Sequence, residues 1–216
     1  MRNTVVLVAI VICGHVLAQG TVHKKPIQEH INYDSLRTVL EDMLAEDQNI
    51  RRMLIDSVGL DSPEAPRYFQ KMADIDIRNR KQMEIILNKY GWLEKSKVGE
   101  KAAEGIFYIV QHTDLNTIKK YFPQFKKLAE RGEASTKLCA MMEDRMLMWE
   151  GKKQIYGSQA SSELRADKSY AIWPIENPAE VNVRRKKAGF PNTMEEAAAA
   201  LKASYDPNEK LPSTSK

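Results

Sequence analysis

Hydrophobic residues recur every three or four positions along most of this chain, which is the period of an amphipathic helix. The pattern predicts long helices over about residues 34–57, 67–90, 100–112 and 135–150, and shorter ones ending before Gly189 and near Ser204. Asp34 is placed to cap the first helix, and Asp114 and Pro123 begin two shorter helical pieces. Asn177 with Glu180, and Thr193 with Glu196, form capping patterns at the start of the last two helices. The sequence therefore predicts a mainly α fold, a single-domain bundle of several helices.

The helical period breaks over residues 154–175, where Tyr, Gly, Ser and Gln follow in no regular order. Gln154–Ala160 and Tyr170–Ile175 can pair as a small β-hairpin across the polar residues between them. The sequence shows neither an internal repeat nor an interdomain linker. We therefore predict one helical domain over residues 34–204, followed by a mobile polar tail over 205–216.

The first residues have the pattern of a signal peptide. Arg2 supplies a positive charge, and Val5–Leu17 is an apolar run that is too short for a comfortable membrane span. Compact residues then occupy the positions that a signal peptidase inspects, with cleavage after residue 18 or, alternatively, after Gly20. We predict a signal peptide over 1–18, a loose leader over 19–33, and a secreted or periplasmic location.

The amino-acid composition excludes several classes of protein. Of the 216 residues, 43% are hydrophobic and 29% are charged, with 10 Gly, 9 Pro and 2 Cys. These proportions exclude a disordered protein, a collagen-like protein and a disulfide scaffold. Cys13 leaves with the predicted signal peptide, so Cys139 stays single. It is expected to be a small buried hydrophobe, with a catalytic thiol as the lesser alternative.

The formal net charge of +4 is mild and does not indicate a nucleic-acid partner. The basic run Arg184–Lys187 lies on one predicted helix near Glu180, which is typical of a solvated face. Alternatively, the first or second arginine of this run turns inward and pairs with Asp144 or Asp76. We expect no nucleic-acid binding and no membrane span after signal cleavage.

Polar residues interrupt the apolar faces of the first two predicted helices. Asp47 lies in the middle of the first face with Arg51 one turn further on, and Asp76 and Asn79 lie in the middle of the second. An antiparallel hairpin about Leu60–Pro63 would place the two aspartates opposite each other. Two carboxylates in an apolar interface need partners or protons. The two aspartates therefore predict either a buried ion network that fixes helix register or a pocket lined by charges that its function needs.

A second polar group lies further along the chain. Gln111 and His112 end the third long helix, and Asp144 and Arg145 interrupt a Met-rich one. The irregular segment that follows adds Gln154, Tyr156 and Gln159. A histidine at a helix C-terminus has two explanations, a charge that complements the helix dipole or a functional imidazole.

A set of polar and glycine positions resembles a known domain family. The positions are Asp47, Arg51, Asp76, Asn79, Gly91-Trp92, Val110-Gln111-His112, Asp144-Arg145, Gly151, Gln154, Tyr156-Gly157 and Gln159, with Pro174 and Arg184-Arg185 before Gly189. Together they resemble a bacterial, often exported family of unknown function whose hallmark is Gln-x-Tyr-Gly-Thr-Gln. Ser158 replaces the Thr here, and Leu93 replaces the Pro that usually follows the Trp. The resemblance spans about 34–190 and implies a shared, mainly helical fold with a common core or site, but no activity.

Several familiar catalytic motifs are missing from the sequence. It has no His-Glu-x-x-His helix, no Gly-rich phosphate loop and no Gly-x-Ser-x-Gly turn. A metal site would have to combine His112 with carboxylates such as Asp47, Asp76 or Asp144, and it would suit a hard cation. We expect neither a metal nor a cofactor.

Two function classes stay open. In the first, the protein is a hydrolase or lyase acting on a small polar or cell-envelope substrate. His112 would serve as acid/base, and Asp76, Asp47 or Asp144 would orient or assist it. Substrate binding would fall to polar residues on the neighbouring elements: Asp47, Arg51, Asn79, Gln111, Arg145, Gln154, Tyr156 and Gln159. In the second, it is a non-catalytic exported module that binds a ligand or protein partner. The identity of the small molecule or envelope component and the oligomeric state are left open.

Overall fold

Eight α-helices account for most of residues 31–212, the part of the chain that this computed structural model describes. The helices are α1 (Tyr33–Arg52), α2 (Ala65–Tyr90), α3 (Lys95–Val98), α4 (Glu100–Gln111), α5 (Leu115–Glu130), α6 (Thr136–Trp149), α7 (Val181–Ala188) and α8 (Met194–Ala200). A π-helical segment, Met53–Val58, extends α1, and a 3₁₀ turn, Pro178–Glu180, precedes α7. The prediction of a mainly α fold is confirmed. The predicted signal peptide and most of the leader lie outside the described residues.

Local capping sets several helix ends, with some differences from expectation. Asn32, and not Asp34, caps α1, because its side chain accepts a hydrogen bond from the Ser35 N–H at 3.0 Å. Asp34 instead pairs with Arg37 at 3.1 Å. Asp114 caps α5 as predicted, by accepting from the Thr117 N–H.

Pro123 lies inside α5, where the sequence predicted a break. The helix continues because Ile118, Tyr121, Phe122 and Phe125 are buried on one face across the proline. Their burial offsets the one backbone hydrogen bond that proline removes.

The packing of α1 against two other helices positions the polar residues. Asn79 of α2 donates to the Met43 carbonyl and Arg78 pairs with Glu46, so α1 and α2 run antiparallel as predicted. The helices α1 and α4 run parallel and very close together. A Cβ on Gly105 would lie 2.8 Å from the Leu40 carbonyl oxygen, so this crossing requires glycine. The parallel pairing brings the C-terminal end of α4 beside the last turns of α1.

The main hydrophobic core lies among α1, α2, α4, α5 and α6. Trp92 stacks on Phe125 in this core, with ring centroids 4.3 Å apart. A second, smaller core packs Ile172, Ile175, Val181 and Met194 beneath α7 and α8. The residues between α6 and α7 therefore connect two separate apolar clusters.

The predicted β-hairpin is present and short. Strand β1 (Ala160–Ser161) pairs antiparallel with β2 (Ala171–Ile172), and Ala160 lies opposite Ile172. The Ser204 N–H donates to the Tyr170 carbonyl, and Glu209 forms an ion pair with Arg165. These contacts attach part of the polar tail to the hairpin. Within residues 31–212, no helix combines the length and apolar character that crossing a membrane requires.

The entry into α7 also differs from the predicted cap. Asn177 adopts a left-handed conformation with φ of 44°, and its side chain does not cap the helix. In α8, by contrast, Thr193 and Glu196 form the reciprocal capping box that the sequence predicts.

Candidate functional site

The carboxylate of Asp47 is the centre of a polar cluster between α1, α2 and α4. Asp47 is 1% exposed. Its Oδ1 accepts from Arg51 Nη1 at 2.7 Å and lies 3.0 Å from His112 Nδ1, and its Oδ2 accepts from Gln48 Nε2 at 2.7 Å. Arg51 Nη2 donates to both oxygens of Asp76, at 2.9 and 3.0 Å. One guanidinium thus joins the two facing carboxylates, as expected of a buried ion network.

The side chain of His112 is oriented by this cluster. His112 follows α4 directly, where its N–H still bonds to the Tyr108 carbonyl. Because an ionised carboxylate only accepts hydrogen bonds, Nδ1 carries the hydrogen toward Asp47. Nε2 makes no hydrogen bond to any residue in 31–212, and 19% of the side chain is exposed. The imidazole therefore presents a free basic nitrogen at the edge of the cluster.

Arg145 connects this cluster to the irregular segment after α6. Its Nε donates to Gln159 Oε1 at 3.1 Å, and its Nη1 donates to the Gln111 carbonyl at 2.9 Å. The guanidinium lies 5.5 Å from the centre of the Trp149 ring. Burial, and secondarily repulsion from Arg51, lowers the pKa of Arg145 to about 10.

Asp144 binds the irregular segment and, within residues 31–212, makes no hydrogen bond or ion pair with His112. It is fully buried and accepts hydrogen bonds from three backbone N–H groups, those of Ile155 (2.7 Å), Tyr156 (3.0 Å) and Ser158 (2.9 Å). Burial raises the pKa of Asp144, and these hydrogen bonds oppose that rise. The backbone of the segment therefore wraps around the Asp144 carboxylate.

The Gln-x-Tyr-Gly-Ser-Gln segment is held from several other sides. Gln154 Nε2 donates to the carbonyls of Gln159 and Trp173, and its Oε1 accepts from the Gln159 N–H. Gly157 has φ of 69°, and a Cβ there would collide with Met194. The segment consequently needs its glutamine and its glycine for backbone geometry.

Arg185 turns inward, as one of the alternatives for the basic run proposed, but it finds different partners. It is 2% exposed and donates to the carbonyls of Tyr156 and Asn192 and to Asn192 Oδ1. Its guanidinium also lies over the Phe190 ring at 4.4 Å. The expected pairing with Asp144 or Asp76 is wrong, because the backbone N–H groups and Arg51 already occupy those carboxylates. Asn192 was missed because a loop asparagine has no distinguishing local signal.

Tyr156 lies in a cleft that His112 does not line. It lines an open cleft of about 630 Å³ between α5, α6 and α7, together with Cys139, Glu143, Arg184 and Lys187. Cys139 is 7% exposed, and burial raises the pKa of its thiol to about 12. This thiol is a buried hydrophobe, as expected, and it is protonated at neutral pH.

The predicted site residues therefore separate into two groups. Asp47, Arg51, Asp76, His112, Gln111 and Arg145 lie around the end of α4, with Asn79 beside them on α2. Asp144 of α6 and the irregular segment with Gln154, Tyr156 and Gln159 form the second group, and the hydrogen bond between Arg145 and Gln159 joins it to the first. Arg80 of α2 pairs with Glu84 and Asp114 and forms no ion pair with Asp47 or Asp76.

A family model matches residues 34–210, which is most of the chain. The chain belongs to DUF6624, a family of unknown function. Searches of curated proteins and of solved structures found no match. The DUF6624 match includes both polar groups and the hairpin, but it assigns no activity to them.

The geometry around Asp47 in this DUF6624 chain also bears on metal binding. One ligand atom from each of Asp47, Asp76 and His112 lies within 4.8 Å of the others, a donor set that suits a divalent cation. The guanidinium of Arg51, however, donates to both carboxylates. A cation would have to displace Arg51 or tolerate its charge, so the arrangement fits an ion network better than a metal centre.

Proposed function

We propose that this protein is a hydrolase or lyase in which His112 acts as general base and then general acid. The contact between Asp47 Oδ1 and His112 Nδ1, 3.0 Å long and made by a 1% exposed carboxylate, carries the proposal. A buried aspartate that accepts from Nδ1 leaves Nε2 free to take a proton. It also stabilises the imidazolium that results.

Asp47, Arg51 and Asp76 have positioning roles in this proposal. Arg51 and Gln48 hold the Asp47 carboxylate from two sides, and Asp76 holds Arg51 from the opposite helix. Asp76 would therefore act through Arg51 and not on the substrate. Asp144, the other candidate for catalysis, is committed to backbone N–H groups and would serve the fold. Gln111 and Arg145 are the polar candidates nearest to His112 for binding a small polar substrate.

The cleft at Tyr156 favours the alternative function, a binding module. Its volume of about 630 Å³ exceeds that of one amino-acid side chain, and His112 is not among its lining residues. Its lining offers no imidazole or activated thiol, because the pKa of Cys139 is raised to about 12 and burial raises the pKa of Tyr156. We therefore assign chemistry to His112 and keep ligand binding at the Tyr156 cleft as the second candidate.

The proposed location is the cell envelope or the medium, and it rests on the signal-peptide pattern of residues 1–18. Envelope sugars, peptides and small polar esters are the substrates to test first. Recovery of the chain without residues 1–18 from the culture medium or periplasm would agree with this location. Retention of the uncleaved chain in the cytoplasm would contradict it.

The decisive experiment compares the wild-type protein with His112→Asn in a screen of such compounds. Asparagine keeps a donor toward Asp47 but has no base, so turnover should fall at least about 100-fold. The matched control is Arg78→Gln, an exposed residue that pairs with Glu46 and lies outside the cluster. Equal turnover by wild-type protein and His112→Asn would overturn the proposal, as would ligand binding without turnover across the screen.

A second measurement does not depend on knowing the substrate. Nitrogen-15 NMR should show the neutral His112 ring with its hydrogen on Nδ1, because Asp47 accepts there. The hydrogen should leave Nδ1 or redistribute in Asp47→Asn. A wild-type ring with its hydrogen on Nε2 would contradict the assignment of this nitrogen as the base.

A further inference from the structure

Among the described residues, Arg145 has fewer hydrogen-bond acceptors than the other inward-facing arginines, and it has no counter-ion. Arg51 pairs with two carboxylates, and Arg185 donates to two carbonyls and an amide oxygen and covers an aromatic ring. Arg145 has only two neutral acceptors, Gln159 Oε1 and the Gln111 carbonyl. Within residues 31–212, no carboxylate lies within 4 Å of its guanidinium. Burying a cation without a counter-ion costs free energy, unless another molecule supplies the negative charge.

The surroundings of Arg145 increase this cost. Its charged neighbour in the site is another cation, since repulsion from Arg51 adds to burial in lowering its pKa. The Trp149 ring lies over the guanidinium, and Trp149 itself is 40% exposed. Nη2 makes no hydrogen bond to any described residue, so a donor remains at the open side.

A second polar group beside Arg145 also lacks a partner. Both side-chain polar atoms of Gln111, Nε2 and Oε1, are buried without a hydrogen bond among the described residues, and Gln111 is 3% exposed. Arg145 bonds to the carbonyl of this same residue, which is joined directly to the His112 nitrogen. The residue that precedes the candidate base thus has an unmet side-chain amide, and its carbonyl accepts from the arginine that has an unmet donor.

We propose that Arg145 is the receptor for an anionic group of the substrate, a carboxylate or a phosphate, which binds beside His112. Arg145 Nη2 would donate to the anion, and the Gln111 amide would meet a neighbouring polar group of the same molecule. This inference rests on the proposed function only for the chemical step, because anion binding itself needs no base. It narrows the substrate class to small polar molecules that carry a negative charge.

The test measures binding of two probes, sodium acetate and inorganic phosphate, by the shift of the Trp149 indole N–H signal at constant ionic strength. A Trp149→Phe variant identifies that signal against Trp92 and Trp173. We expect saturable shifts with one or both probes, and the tighter probe distinguishes a carboxylate from a phosphate substrate. Arg145→Gln should weaken binding at least about tenfold. Arg80→Gln, whose guanidinium already pairs with Glu84 and Asp114, should bind as tightly as wild type.

The outcomes separate this inference from the proposed function. Anion binding that persists in His112→Asn, while turnover is lost, supports both. Anion binding with turnover unaffected by His112→Asn supports the receptor and overturns the base. The absence of a saturable Trp149 shift in wild-type protein overturns the receptor without any variant having to fold. Equal binding by folded Arg145→Gln and wild type also overturns it.

Discussion

At the scale of single residues, Asp144 shows how a buried carboxylate can serve the backbone and not a substrate. Three N–H groups of the segment after α6 converge on its two oxygens, and the side chain is fully buried. Each hydrogen bond to a charged acceptor contributes more than one between neutral groups. The segment has little regular secondary structure, so Asp144 supplies acceptors that a helix or sheet would otherwise provide.

Asp144→Asn should therefore destabilise the protein by about 3 kcal/mol, because the amide replaces an acceptor oxygen with a donor that faces N–H groups. Urea denaturation followed by circular dichroism measures the loss. The control is Glu143→Gln, the neighbouring residue, whose contact with Lys126 is long at 3.5 Å. It should change stability by less than about 1 kcal/mol. Similar losses in the two variants would contradict this role for Asp144.

Glu150 provides a pH-dependent contribution at the end of α6. Hydrogen bonds from Lys119 and Lys152 lower its pKa to about 2, below the value of roughly 4.3 in an unfolded chain. A carboxylate with a depressed folded pKa stabilises the fold above the unfolded pKa. That stability is lost as the pH falls from about 4.3 toward 2.

Glu150→Gln should cost about 1 kcal/mol at pH 7, because both lysines are exposed and the ion pairs are screened. The difference from wild type should vanish as the pH approaches 2. Thermal melts across that range measure it, with Glu163→Gln, an exposed glutamate, as control. A difference that stays constant from pH 7 to pH 2 would exclude the linkage.

At the scale of helices, the crossing of α1 and α4 fixes the distance between Asp47 and His112. Gly105 lets the Leu40 carbonyl approach α4, and the next two turns of each helix lead to the two site residues. A wider crossing would separate them, because both helices are rigid over that length.

Gly105→Ala should destabilise the protein by about 2 kcal/mol, although alanine is the better helix former, because the methyl group meets backbone at 2.8 Å. It should also weaken the Asp47–His112 contact, seen as a changed His112 ring signal in NMR. Lys101→Ala, an exposed residue of the same helix, is the control for both readouts. Unchanged stability and ring signal in Gly105→Ala would mean that the crossing tolerates a side chain.

The pairing of α1 with α2 depends on the ion network between them. Asp47→Asn and Arg51→Met should each cost about 3 to 5 kcal/mol, since each leaves a buried charge or carboxylate without its partner. His112→Ala and Tyr156→Phe should stay within about 1 kcal/mol, because they lie where helix gives way to irregular chain. Thermal melts of the four variants test this division. A uniform loss would make His112 a structural member of the network.

At the scale of the whole molecule, two hydrophobic cores share one polar connection. Asp144 and Arg145, on a helix of the main core, bind one side of the segment. Arg185 of α7 and Met194 of the smaller core contact its other side. Opening the smaller core would expose these buried charges as well as apolar surface. The two cores should therefore unfold together.

Urea unfolding measures this cooperativity with two probes. Far-UV circular dichroism follows the helices, which lie mostly in the main core, while fluorescence includes Trp173 near the smaller core. The two curves should coincide in wild-type protein. Arg185→Lys, which cannot reach its three acceptors at once, should separate them. Separate curves in wild type would show that the cores are independent.

Period and capping determined much of this fold from sequence alone. The hydrophobic repeat located the helices, and the reciprocal cap of Thr193 and Glu196 appears as predicted. These features depend on residues within one or two turns, so a single sequence contains the information. The same reasoning placed Asp47 opposite Asp76, because an antiparallel hairpin relates positions at equal distance from its turn.

Only the tertiary structure decided which polar residue each charge would meet. The sequence placed His112 and Asp144 together in one candidate site, yet Asp144 accepts from backbone N–H groups and His112 presents a free nitrogen. The parallel contact of α1 with α4, which brings Asp47 to His112, and the inward turn of Arg185 join residues far apart in the chain. Such pairings depend on how helices cross and how loops close, and the local hydrophobic period of a sequence determines neither.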